Sequence, residues 1–193
     1  NLFSELKFLS PRTAYINLKY KNQKKKMIFQ EKINKELIEQ KNLKEGPIIE
    51  GDERFAFSDK RNDQNLSKHR LVNKNWSLKN EKTLEIAKNS LSILNFITEV
   101  HSTNLPTDNF DYHTMGKMLF GYNFFDNLSS FDAISIALGS DHMMPKNERR
   151  FYYDPLNKKF YPIYYGGIDY LLDGKNKIID INHMIIPSVR EGT

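Results

Sequence analysis

The sequence predicts an α+β fold, in which helices pack against small antiparallel hairpins instead of alternating with parallel strands. Three observations carry this reading. Thr13 to Tyr20 alternates, with Ala14, Ile16, Leu18 and Tyr20 on one face, and Met27-Ile28-Phe29 follows after a polar turn. Glu81 to His101 carries Leu84, Ala87, Leu91, Leu94 and Ile97 at helical spacing. Phe151-Tyr152-Tyr153 and Phe160 to Tyr165 flank the turn Asp154-Pro155-Leu156-Asn157-Lys158, which reads as a second hairpin.

Taken in order, Asn1 to Leu9 reads as the end of a helix, with Leu2, Phe3, Leu6 and Leu9 on one side, stopped by Ser10-Pro11. The first hairpin follows, with Thr13 to Tyr20 expected to be half buried and Lys21 to Lys24 forming its turn. Glu31 to Asn42 reads as a helix whose apolar face is Ile33, Leu37 and Ile38 and whose cap is Asn34. Glu45-Gly46-Pro47 breaks it, and Ile48-Ile49 reads as a short strand. Asp59 to Asn75 is polar and expected to be a loop, anchored to the core by Trp76. Asn80 caps the long helix, and Glu81 suits the positive end of its dipole. Asp111 to Tyr122 and Ser130 to Leu138 read as further helices, the latter with Phe131, Ile134, Ala137 and Leu138 inward. Asp173-Gly174-Lys175-Asn176 reads as a hairpin tip.

The 193 residues suit one domain, and 39% hydrophobic residues with 13 Phe and 10 Tyr suffice for a core. The absence of Cys excludes disulfides, thiolate metal sites and cysteine nucleophiles. No apolar run is long enough for a membrane helix. The net charge of +5 is spread out apart from Lys24-Lys25-Lys26, which reads as a solvated turn, so no nucleic-acid partner is expected. Neither HExxH spacing among the five His, nor a P-loop, nor GxSxG, nor GxGxxG occurs.

The order of elements is informative. A hairpin leads through a linker to helices, then to a polar loop, a second hairpin and a turn. Protein kinases use this layout: an Asp base and a metal-binding Asn in the catalytic loop, then a hairpin, then a second metal-binding Asp. Phosphoryl transfer needs such groups because it is mainly positioning and neutralisation of phosphate charge. In the polar loop Gly139 to Arg149, Asp141 is the candidate catalytic carboxylate, and Asn147 is the candidate catalytic-loop Asn and metal ligand. The competing reading makes Asp141 a turn cap and Asn147 a surface residue.

Phe29-Gln30-Glu31-Lys32-Ile33, the helix after it, and Glu45-Gly46-Pro47-Ile48-Ile49-Glu50-Gly51-Asp52 resemble the pattern of the spore-coat protein H (CotH) family. So do Asp141-His142, Asn147, Phe151 to Pro155 and Phe160 to Tyr165, and the resemblance runs from about Leu6 to Gly167. It implies an atypical protein-kinase-like fold, here the end of the small lobe plus a helical large lobe with a β-hairpin. It implies ATP- and Mg²⁺- or Mn²⁺-dependent phosphorylation of Ser or Thr in a surface or coat protein. Gln30, Glu31 and Ile33 would lie in the hinge where backbone meets adenine, with Glu31 read as a structural ion pair ahead of a ligand contact. Two departures accompany the resemblance. Where the family has a metal-binding Asp after Tyr165, this chain has Gly166-Gly167; either Asp169 serves by a register shift or the ligand is lost. The phosphate-binding strands and Lys–Glu pair would lie upstream of Thr13, so residues 1–193 are expected to be a fragment, inactive alone. The alternative is a catalytically dead relative used for binding or adhesion. A weaker one, an RNA-binding module, rests on charge and aromatics.

Overall fold

The computed structural model describes residues 2–52, 68–102, 122–140, 143–144 and 148–166. Within them the order is α1 (Leu2–Glu5), β1 (Thr13–Tyr20), β2 (Gln23–Gln30), α2 (Lys35–Glu39), β3 (Ile48–Gly51), β4 (His69–Leu71), α3 (Lys74–Ser77), α4 (Glu81–Ser102), α5 (Tyr122–Ala137), β5 (Arg150–Asp154) and β6 (Lys159–Pro162). The expected α+β class is what the chain adopts: helices grouped on small antiparallel sheets. The expected Asp111–Tyr122 helix, except its last residue, and the Asp173 hairpin lie outside the described residues.

The centre is a four-stranded antiparallel sheet of order β4-β3-β5-β6. Successive side chains on a strand point to opposite faces, so consecutive apolar residues demand cover on both. Ile48-Ile49 and Phe151-Tyr152 are such runs, and all four side chains are buried. Ile49, Phe151 and Phe160 pack on one side with Leu94 and Ile97 of α4 and Leu128 of α5. Ile48, Tyr152 and Ile163 pack on the other with Ile33, Leu37 and Ile38 around α2 and with Leu9. Each large side chain fully buried in this way contributes on the order of 1.5–3 kcal/mol. A third cluster of Phe3, Phe131, Met143 and Met144 ties α1 to α5.

The helix ends follow local chemistry. Thr83 N–H donates to Asn80 Oδ1 at 2.9 Å, while Asn80 N–H donates back to Thr83 Oγ1 at 3.1 Å, a reciprocal cap at the start of α4. Asn34 holds the N-cap position of α2 without a side-chain cap bond. That helix is shorter than expected, ending at Glu39, and Asn42 takes the left-handed conformation after it (φ 56°). No helix among the described residues is long and apolar enough to cross a membrane.

Three expectations need correction. The first hairpin is exposed along nearly its whole length, not half buried, because its two strands pair only with each other and nothing described packs on them. Ala137 is exposed, whereas Asp132 and Ser135 are buried in its place. Those polar side chains tolerate burial because they are bonded: Asp132 to Arg149, and Ser135 Oγ to the Phe131 carbonyl at 2.7 Å. Finally, the supposed loop before Trp76 contains β4 and the start of α3, the helix to which Trp76 itself belongs. The Asn73 side chain stands in for a strand there, accepting from Ile48 N–H and donating to the Gly46 carbonyl, both at 2.8 Å. Trp76 is buried as expected.

Candidate active site

The hinge segment joins β2 to α2. Gln30 is the last residue of β2, opposite Thr13. Ile33 is buried beneath α2. Between them Glu31 is taken up by Arg12: Nη2 donates to Oε1 at 2.7 Å, and Nε and the backbone N–H donate to Oε2 at 3.2 Å. Glu31 N–H in turn donates to the Arg12 carbonyl at 2.9 Å, and Gln40 Nε2 reaches Oε1 at 3.4 Å. The carboxylate therefore locks the base of the hairpin to the segment before it. The structural ion pair, of the two roles open to Glu31, is the one the geometry displays.

The Arg12 hydrogen bonds hold the Glu31 carboxyl below its ordinary pKa, against the upward push of burial. A lowered folded-state pKa gives stability that is fully present above the unfolded value and fades as pH falls through the folded one. Glu31→Gln should therefore lower the melting temperature at neutral pH, and by less and less as pH drops below about 4.3. Thermal melts of both proteins across that range check this; an equal loss at every pH would show that the charge contributes nothing.

Asp141, Asn147 and Asp169 lie outside the described residues. The attachments of the polar loop are described. At its start Ser140 is buried, its N–H donating to the Ser135 carbonyl at 2.8 Å. Met143 and Met144 sit in the cluster with Phe3 and Phe131. At its end Arg149 is buried, with Nε donating to the Met144 carbonyl at 3.1 Å and Nη2 to Asp132 Oδ2 at 3.1 Å.

Residues 163–165, just past β6, connect these parts. Ile163 shares a core cluster with Ile33 of the hinge and forms a parallel bridge with Leu9. Tyr164 N–H donates to the Leu9 carbonyl at 2.8 Å, its ring stacks on Phe3 at 4.0 Å, and its hydroxyl lies 3.5 Å from Ser140 Oγ. Tyr165 lies under the Arg150 guanidinium, 3.8 Å from the ring centroid. The hinge, the start of the polar loop and the segment leading to Asp169 thus meet at one end of the sheet. Gly166 follows with φ 73°.

Two charged groupings were not anticipated. One is the buried Asp132–Arg149 pair. The other is a cross-strand set: Glu50 Oε2 accepts from Arg150 Nε at 2.9 Å, Glu50 Oε1 pairs with Arg70 Nη2 at 2.5 Å, and Asp52 Oδ1 lies 3.8 Å from Arg70 Nε. Glu50 stands directly opposite both Arg70 and Arg150, which becomes visible only once the strand pairing is known. Both arginines are neutralised by these acids, so the set clamps β4, β3 and β5 together.

Among the described residues no group of three or more His, Asp or Glu side chains could hold a metal ion. No protein-family model and no curated protein matches the chain.

Proposed function

We propose that the chain is part of a CotH-type atypical protein kinase that transfers phosphate from ATP, with Mg²⁺ or Mn²⁺, to Ser or Thr of a surface or coat protein. One observation carries the reading: the hinge, the polar loop and the strand end leading to Asp169 converge at residues 163–165. In this reading Asp141 orients or deprotonates the acceptor hydroxyl, and Asn147 with Asp169 holds the metal. The Lys32 and Ile33 amides have no backbone acceptor among the described residues, which suits a hinge whose backbone meets adenine. Glu31 shapes the hinge through Arg12 and is not needed for ligand contact. The test is label transfer from γ-labelled ATP by the full-length parent protein, with and without divalent metal.

A second reading is favoured by Gly166. Glycine has no carboxylate, so the position at which the family pattern places a metal-binding Asp offers no ligand in this chain. On that reading the protein is a kinase-like scaffold used for binding or adhesion. Absence of transfer, together with no rise in melting temperature on adding nucleotide and metal, would select it.

A further inference from the structure

The hairpin of β1 and β2 holds the entire charge excess of the protein. Over the chain, 29 Lys and Arg face 24 Asp and Glu. Lys19, Lys21, Lys24, Lys25 and Lys26 lie within 13–30, which contains no acid, so the remaining residues balance 24 against 24. All five lysines are in the half of the hairpin farthest from the body. Lys19 stands directly opposite Lys24. A like-charge cross-strand pair opposes hairpin formation, and no acid of the hairpin relieves it.

The register also sorts the apolar residues. Ala14, Ile16, Leu18 and Tyr20 share a face with their partners Phe29, Met27, Lys25 and Gln23, so this face is apolar toward the base of the hairpin and carries Lys25 and Gln23 near its tip. The opposite face carries Asn17, Lys19, Lys24 and Lys26 beside Tyr15 and Ile28. Tyr20 is 67% exposed and Phe29 57%, in a two-stranded sheet with nothing described on either face. An isolated two-stranded hairpin is marginal in water and gains from a partner surface.

From the charge and the faces together we propose that this hairpin is a docking arm for an anionic lipid bilayer, with its apolar face in the interface and its lysines among the headgroups. The aliphatic side chains Ile16, Leu18 and Met27 suit acyl chains and have no role on a nucleic-acid backbone. The cations are all lysines, compact point charges suited to a diffuse anionic layer, where guanidinium groups would suit bidentate readout. Tyr15 and Tyr20 are of the type that settles at a membrane–water boundary. A second copy is disfavoured because five uncompensated lysines would meet five more. The inference does not rest on the phosphotransfer reading, under which small-lobe strands would be the rival occupant of this face; vesicle binding by residues 1–193 that the full-length parent protein lacks would select that occupant and overturn the proposal.

The test is co-sedimentation with vesicles of phosphatidylserine and phosphatidylcholine, against phosphatidylcholine alone, at low and high salt. Binding to the anionic vesicles only, weakened by salt, is expected. Each lysine near such a surface is worth roughly fivefold in partitioning, so Lys24→Glu, Lys25→Glu and Lys26→Glu together should cost about 100-fold or more. Ile16→Ser with Phe29→Ser should weaken binding at low salt as well. These sites are exposed, and an unchanged melting temperature verifies that the variants fold. No binding, or equal binding to neutral vesicles, would overturn the proposal. So would tighter binding to a random oligonucleotide, or a concentration-dependent dimer whose formation the substitutions abolish.

Discussion

Arg149→Met should destabilise the protein by about 3–5 kcal/mol, because it breaks a buried ion pair with the Asp132 carboxylate. Asp132 is 0% exposed and Arg149 2%. The guanidinium lies 3.1 Å from both carboxylate oxygens through Nη2, and Nε holds the Met144 carbonyl. Removing either charge takes away the ion pair made with the other, at a depth where the two side chains are almost wholly buried. Removing both is different. Two ions taken out of water cost several kcal/mol each in desolvation, which their attraction must repay. Arg149 Nη1 is buried without a hydrogen-bond partner among the described residues, so the repayment is incomplete. Asp132→Leu with Arg149→Met should therefore recover most of the loss. Urea melts of the wild type, both single variants and the double variant give the coupling directly, provided the denaturant slope stays constant. A single-variant cost below about 1 kcal/mol would mean that water reaches the pair.

Gly46→Ala is the second large effect, and its cause is space. A Cβ at this position would sit 2.5 Å from the Tyr153 carbonyl oxygen, 2.9 Å from Pro155 Cδ and 3.0 Å from Tyr152 Cε2. The nearest of these is backbone, fixed by Tyr153 N–H donating to the Pro47 carbonyl at 2.9 Å and by pairing within the β5–β6 hairpin. The chain cannot retreat the other way, since the Gly46 carbonyl is held by Asn73 and Tyr152 Oη donates to the neighbouring Lys44 carbonyl. One methyl group should then cost about 2–3 kcal/mol, the upper part of the range for overpacking. A lowered melting temperature with an unchanged circular-dichroism spectrum is the expected readout. A neutral result would show that the 44–47 segment can move away from β5.

Both sites illustrate where sequence reading succeeds and where it stops. Helix α4, the apolar run Ile48-Ile49 and the β5–β6 hairpin were legible because their periodicities are strong and local. Gly46 was legible as a helix breaker, but its close approach to Tyr153 is a contact across 107 positions in sequence and leaves no local signature. Asp132 reads as a surface position in any composition-based view, and its pairing with Arg149, 17 positions away, leaves no local signature. The hairpin failed in the opposite direction. Its alternation is real, yet alternation says only that one face is apolar, and says nothing about what covers it. Of the proposed site, Glu31 was legible as an ion-pair residue in kind but not in partner, since Arg12 lies on the far side of a whole hairpin. The meeting of Ile33, Ser140 and Tyr164 at one end of the sheet depends on the parallel bridge between Leu9 and Ile163, a single contact that no pattern announces.

The central claim is that this arrangement serves phosphate transfer, and label transfer tests it most directly. The full-length parent protein is incubated with γ-labelled ATP and Mg²⁺ or Mn²⁺, beside its Asp141→Ala variant. The account predicts metal-dependent labelling of Ser or Thr that falls by about 100-fold or more in the variant, as removal of a catalytic base should cause, with both proteins equally stable. No labelling by the wild type under either metal, or labelling that Asp141→Ala leaves unchanged, would contradict it.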